Sequence, residues 1–336
     1  VKGDRVLVWG ENCPEWVVAF WGCVLRGVVV VPIDFRASGE FLLRVGAIVS
    51  ARVALVGEDV QAPIWPANLD VWSLAPLLRE APDAPDAGSP VAIGADDLAE
   101  IIFTSGATAE PKGVLITHRN VLANLRPIEG EILKYRKYGR PFFPLRFLNL
   151  LPLSHMFGQS MATFIPPMLP GVVVFMRGYN PQEIVRQIRA RRVSVLVCVP
   201  KILDVLREHL VRAFPEADPP LETREHFTRR WWRYRRVHRA FGLKFWAFVV
   251  GAAPLEPARS IPANRPSSIS IRTFSSVSPV PVQTLTAFRL MRFIPSILFI
   301  HSMRWLRAVN SRRDTRRLPP LWSRGRSRRR ARRGRA

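Results

Sequence analysis

Between Thr104 and Gly113 the chain reads TSGATAEPKG, a run of small and hydroxyl residues that leads into one lysine. Such a run suits an anion. Small side chains let a polyphosphate approach the main chain, whose N–H groups can turn toward it together with the hydroxyls of Thr104, Ser105 and Thr108. Gly106 keeps the path clear, and Lys112 adds a point charge that phosphate accepts in any orientation. The spacing is not that of the Gly-x4-Gly-Lys-Ser/Thr phosphate loop. Taken alone, the segment reads equally well as a small-residue turn with a solvated lysine.

Two later segments change the balance. Leu151 to Gly158 reads LPLSHMFG after the apolar stretch Phe147 to Leu150, and it opens a segment with apolar residues near helical spacing. Its His155 is either a functional imidazole or a helix-start histidine satisfied by nearby backbone. Val249 to Pro257 reads VVGAAPLEP after another apolar run, which alone would be an ordinary strand-to-helix turn. Taken in order, the three segments resemble the phosphate loop, the acyl-pocket histidine motif and the adenine-flanking motif of the adenylate-forming superfamily, the AMP-binding acyl-CoA synthetases and ligases. Glu11 to Asp34 (ENCPEWVVAFWGCVLRGVVVVPID) and Val193 to Leu210 (VSVLVCVPKILDVLREHL) are similar to the same family. Glu11 to Asp34 matches a stretch that builds the fold there without touching substrate.

The resemblance implies a partial large N-terminal domain of α/β class, with mostly parallel sheets flanked by helices, over residues 1–257. It implies ATP, Mg²⁺ and CoA as cofactors and a carboxylic acid as substrate. The wording TSGATAEPKGVLITHRN and FWAFVVGAAPLEP is most like the long-chain fatty-acid ligases. A carboxylate attacking the α-phosphorus of ATP needs positioning and charge neutralisation more than acid–base work. By position in the motifs, Thr104, Ser105, Gly106, Thr108 and Lys112 would hold phosphates. His155 would sit beside the acyl carboxylate, and Gly251, Ala252, Ala253 and Pro254 would flank the adenine. Ala107, Ala109 and Ala252 stand where the family has a hydroxyl residue, Gly and Gly. No residue is assigned to a metal.

The elements that must carry these segments alternate. Val6–Trp9, Val28–Ile33 and Val53–Val56 read as buried strands, and Pro14–Arg26 and Ser38–Val49 as helices. Residues 58–95, rich in Pro, Ala and Asp, read as a long connection. The alternation resumes at Glu100 and continues through a 172–175 strand, a 181–191 helix and a 193–199 strand, which argues for largely parallel sheets. Around RRWWRYRRVHRAFG, a surface helix with Trp and Phe packed inward and Arg outward competes with a basic nucleic-acid face, and the helix is preferred.

Cys13, Cys23 and Cys198 form no metal spacing and no even framework, which fits a reducing compartment; with no apparent signal segment, a cytoplasmic location is expected. The segment 285–303 contains Arg289 and Arg292 and makes a poor membrane span. Of the net charge of +24, residues 258–336 carry +18, from 19 Arg, no Lys and the single acid Asp314. No stretch of 258–336 resembles the family's later metal-binding motif, ribose acid or C-terminal lysine domain. The expectation is therefore a non-homologous, disordered Arg-rich tail, such as a shifted reading frame would give, on a chain inactive as written. The alternative is a truncated nucleotide-binding module whose basic tail binds nucleic acid or anionic membrane.

Overall fold

The apolar runs of the first hundred residues and those after residue 145 become strands of two separate sheets. The computed structural model describes residues 1–78, 90–104, 110–215, 232–251, 270–274 and 286–290. All belong to the first of two units, Val1–Met291 and Arg292–Ala336. The Arg-rich tail beyond residue 291, with its alternative of nucleic-acid or membrane binding, therefore lies outside the described residues.

In the first sheet, β1 (Arg5–Trp9) lies between β2 (Val29–Ile33) and β3 (Val53–Val56), all parallel. Outside them run β4 (Asp70–Ser73), parallel to β3, and β5 (Leu98–Thr104), parallel to β2. The edge strand β6 (Lys112–Thr117) is antiparallel to β5. Alternate side chains serve two cores. Val6, Val8 and Val30 face α1 (Pro14–Leu25), while Leu7, Trp9 and Val31 face α2 (Gly39–Val49). Both helices start as the sequence indicates, α1 on Pro14 and α2 behind Ser38, whose hydroxyl accepts from Phe41 N–H at 3.2 Å. The hairpin is followed by α3 (His118–Gly139), which opens with a reciprocal Thr117–Asn120 cap.

The second sheet is built on β7 (Leu145–Asn149), between β8 (Gly171–Val174) and β9 (Val195–Cys198), followed by β10 (Ala247–Val250), all parallel. One face packs on α6 (Pro181–Ala190), α7 (Pro200–Ala213) and α8 (Arg235–Phe241). The other face meets a helical segment that also touches the first sheet. That segment is α4 (Met156–Gln159), a π-helical turn over Ser160–Phe164, and α5 (Ile165–Met168). Phe157 and Met161 pack on Phe147, Val195 and Val249 of the second sheet, whereas Ala162 and Phe164 pack with Phe20 and Val6 of the first core. The layers thus run helix, sheet, helix, sheet, helix.

Three differences from the sequence reading are physical. The 58–95 connection contains β4 and a 3₁₀ turn at Ala75–Leu78. All four residues of β4 are exposed, so it has no buried face to write a pattern, and its pairing is supplied by the open edge of β3. In residues 258–336, β12 (Thr286–Leu290) extends the second sheet antiparallel to β10 and β11 (Ser270–Phe274) pairs antiparallel with β12, so these ten residues are an exception to an unstructured tail. Around α8, Val237, Phe241 and Phe245 are buried as expected, but Trp232 is 63% exposed with the Arg235 guanidinium 4.4 Å over its ring. No described helix is long and apolar enough to cross a membrane.

Candidate functional site

In both sheets the parallel strands end on the side where the three motifs begin, the position at which ligands bind in open α/β sheets. Thr104 ends β5, and Lys112 opens β6 directly opposite it, so the anion segment is the connection of a hairpin closed by the pair Thr104↔Lys112. The Lys112 side chain is exposed. Ser105, Gly106 and Thr108 lie outside the described residues, as do Ala107 and Ala109. The antiparallel β6 was not legible, because Val114 and Leu115 stand exposed on an edge strand without an alternating pattern.

His155 is the N-cap residue of α4 and makes no side-chain capping bond. Among the described residues it meets no backbone partner nearby. Its Nε2 lies instead 3.5 Å from Asp34 Oδ2, and the imidazole is 57% exposed. Asp34 directly follows β2 and is fixed from two sides: Trp9 Nε1 donates to its carbonyl at 3.1 Å, and Arg36 donates to its carboxylate from Nε at 3.0 Å and Nη2 at 2.8 Å. Burial alone would raise the Asp34 pKa, but hydrogen bonds from His155 and Arg36 outweigh it and hold the carboxyl well below its usual range. Asp34 therefore stays an anion beside the imidazole. The stretch Glu11–Asp34 thus contacts His155 as well as building the fold.

Asn12 joins the two sheets. Its Nδ2 donates to Leu151 O at 2.8 Å, and its Oδ1 accepts from Leu153 N–H at 3.0 Å. The LPLSHMFG segment is pinned by its neighbours at both ends. A Cβ on Gly158 would collide with the Pro152 carbonyl oxygen, so only glycine lets the chain fold back at that point. Gly251 follows β10, and a Cβ there would fall 2.5 Å from Phe157 Cε1. The third motif thus packs against the second, two residues from His155. Ala252, Ala253 and Pro254 lie outside the described residues.

The first motif is tied to the second from below. Glu100 of β5 and Gln159 of α4 are both fully buried, and Gln159 Nε2 donates to Glu100 Oε2 at 2.9 Å. Asp34, Arg36, Asn12, Glu100 and Gln159 all escaped the sequence reading. Asp34 had a signal in its place immediately after a continuous apolar strand; Glu100 had one as the only charge inside the apolar run 98–103. Among the described residues no three His, Cys, Asp or Glu lie together as a metal site. The free thiols Cys13 and Cys23 are pushed up by burial to about 12 and about 11, which leaves them outside the chemistry.

The sequence profile of the AMP-binding enzyme family matches residues 1–271. Crotonobetaine/carnitine–CoA ligase of Salmonella paratyphi A is 28% identical over an alignment 235 residues long, with 61% of this chain and 42% of that protein covered. The chain therefore spans less than half the length of the curated relatives it matches. The N-terminal domain of FACL13 from Mycobacterium tuberculosis, solved with an inhibitor, aligns with a TM-score of 0.51 at 24% identity over 77% of this chain and 65% of that one. The O-succinylbenzoate coenzyme A synthetase of Bacillus subtilis, solved with AMP, aligns with a TM-score of 0.51 at 20% identity over 75% and 61%. At these identities the two structures bear on the fold.

Proposed function

The chain belongs to the AMP-binding enzyme family, and from that premise we propose that it carries the nucleotide- and acyl-binding part of a ligase that joins a carboxylic acid to AMP and then to CoA. The family's chemistry is ATP-dependent activation of an acid. The observation that carries the assignment here is the convergence of the three motifs at one end of the two sheets, with Lys112 beside Thr104, His155 beside Asp34, and Gly251 on Phe157.

Each group has a role its chemistry fits. Lys112, exposed at the exit of the hairpin loop, supplies positive charge to the polyphosphate, and Thr104, Ser105, Gly106 and Thr108 belong to the loop that precedes it. His155 neutralises and orients the acyl carboxylate, while the Asp34 anion keeps the imidazole aimed by a hydrogen bond. Gly251 to Pro254 provide backbone along the adenine. ATP brings its own leaving group: the carboxylate oxygen bonds to the α-phosphorus and pyrophosphate departs. Mg²⁺ and CoA belong to this chemistry as the family runs it; no described residue is assigned to either, and no step is routed through them.

The acid is proposed to be a fatty acid, on the resemblance of the segments around Lys112 and Gly251 to long-chain ligases. Calorimetric titration with ATP and with a dodecanoyl sulfamate of adenosine tests both parts. The expected result is saturable binding of each, with a short-chain analogue bound more weakly. A chain that binds neither nucleotide would overturn the proposal, and equal affinity for all acyl lengths would remove the fatty-acid half of it.

A further inference from the structure

The Glu100–Gln159 contact holds one bond and two orphans. Both side chains are fully buried. Gln159 Nε2 donates to Glu100 Oε2 at 2.9 Å, while Glu100 Oε1 and Gln159 Oε1 are buried with no hydrogen-bond partner. With glutamate ionised, both orphan atoms are acceptors and neither can serve the other. A single proton on the carboxyl turns one of them into a donor, and the amide oxygen is the acceptor it lacks. One proton thus accounts for two unsatisfied atoms, which buried polar groups rarely tolerate.

The placement gives the pair a role. Glu100 lies on β5, four residues before Thr104, and is bracketed by Val30 of β2 and Ile116 of β6. Gln159 lies on α4, four residues after His155. We propose that Glu100 and Gln159 are a positioning pair, in which a neutral glutamic acid and a primary amide close a two-hydrogen-bond ring that locks the strand of the anion loop to the helix begun by His155. Its functional part rests on the assignment of this end of the sheets to ATP and an acid.

The surroundings favour the neutral form. Burial pushes the Glu100 carboxyl up to about 7, against a smaller lowering by the Gln159 amide, and no charged group contributes. On the elements packed around it, the titratable residues are Lys112 and His118 at the two ends of the β6 segment and His155 at the head of α4. None of them acts on Glu100. Thr163, on the turn after Gln159, is fully buried with an unpartnered hydroxyl, which carries its own donor.

The test uses the full chain and two variants. Glu100→Gln replaces the acid by an amide that can make the same two bonds at any pH. Gln159→Leu removes the partner. Urea unfolding across pH 4.5 to 8.5 reads the proton directly. Because the folded pKa lies above the unfolded one, wild type should lose folding equilibrium relative to Glu100→Gln, by up to tenfold per pH unit between about 4.5 and about 7, and then run parallel to it. ATP titration reads the positioning: wild type should weaken above pH 7, Glu100→Gln should not, and Gln159→Leu should be weak throughout. Identical pH profiles for wild type and Glu100→Gln would overturn the pair even if Gln159→Leu failed to fold. Absence of ATP binding to every form would overturn the functional assignment and the positioning role together, while the unfolding profile would still decide whether the ring exists.

Discussion

Lys112 and Thr104 occupy the same rung of the β5–β6 ladder, so the lysine and the hydroxyl residue stand at the two ends of one hairpin loop. The lysine's backbone is held by strand pairing, and its side chain is exposed. Lys112→Ala should weaken ATP binding by roughly 10-fold or more, as loss of a charge-assisted hydrogen bond does. An acyl-adenylate analogue, which lacks the outer phosphates, should lose much less. Calorimetry on both ligands separates the two, and equal losses would mean the lysine does not address the polyphosphate. Unfolding stability should change by no more than a few tenths of a kcal/mol.

Asp34→Asn keeps the shape of the Asp34–His155–Arg36 cluster and removes its anion. The expected outcome is weaker binding of the acyl-adenylate analogue with ATP affinity largely kept. Asp34 also carries an acid-side signature. Its folded pKa is depressed, so its stabilisation is present above the ordinary aspartate value and fades as pH falls below it. Wild type should therefore lose more stability than Asp34→Asn on acidification below pH 4. Parallel acid unfolding curves would show that the hydrogen bonds from His155 and Arg36 do not hold this charge.

Asn12→Ala should cost about 1–3 kcal/mol, because the Leu153 N–H loses its partner inside the structure and the Leu151 carbonyl is left with Asn149 Nδ2 alone. The loss should show in urea unfolding. The adenylate analogue should bind less tightly too, since the segment released is the one that ends at His155.

Gly158→Ala should be among the more damaging single methyl additions in the chain, because the new carbon meets a backbone oxygen that cannot step aside. Gly251→Ala meets the rim of the Phe157 ring, which can turn, and overpacking of that kind costs typically 1–3 kcal/mol. Thermal unfolding of the two variants should rank Gly158→Ala below Gly251→Ala. The reverse order would place the tighter constraint in the third motif.

Much of this architecture was legible because the strands are short continuous apolar runs. Val28–Ile33 differs from β2 by one residue and Val53–Val56 matches β3. Helix α6 is bounded by Asn180 and Pro181 as a cap and first-turn proline should bound it. Edge strands were harder. Neither β4 nor β6 buries a full face, and each takes its conformation from the strand beside it. The motif positions could be marked from the sequence, whereas their partners could not: Asp34 reaches His155 across 121 residues and Glu100 reaches Gln159 across 59. Contacts at such separations follow from layer packing, which leaves no local pattern.

The π-helical turn at Ser160–Phe164 lies in the middle of the short segment that serves two sheets. Pro166 and Pro167 supply no N–H to the carbonyls of Ala162 and Thr163, and Ile165 N–H reaches back five residues to Ser160 O. Both faces are kept on either side of the turn: Phe157, Met161 and Ile165 pack with Phe147, while Met156, Ala162, Phe164 and Met168 pack with Phe20. Loss or gain of one residue there would turn everything beyond it by about 100° and take its side chains off the layers they now address. The segment can thus be retuned by substitution but not by changing its length, so descendants of this architecture should diverge here in side-chain volume while keeping a fixed count between His155 and Pro166.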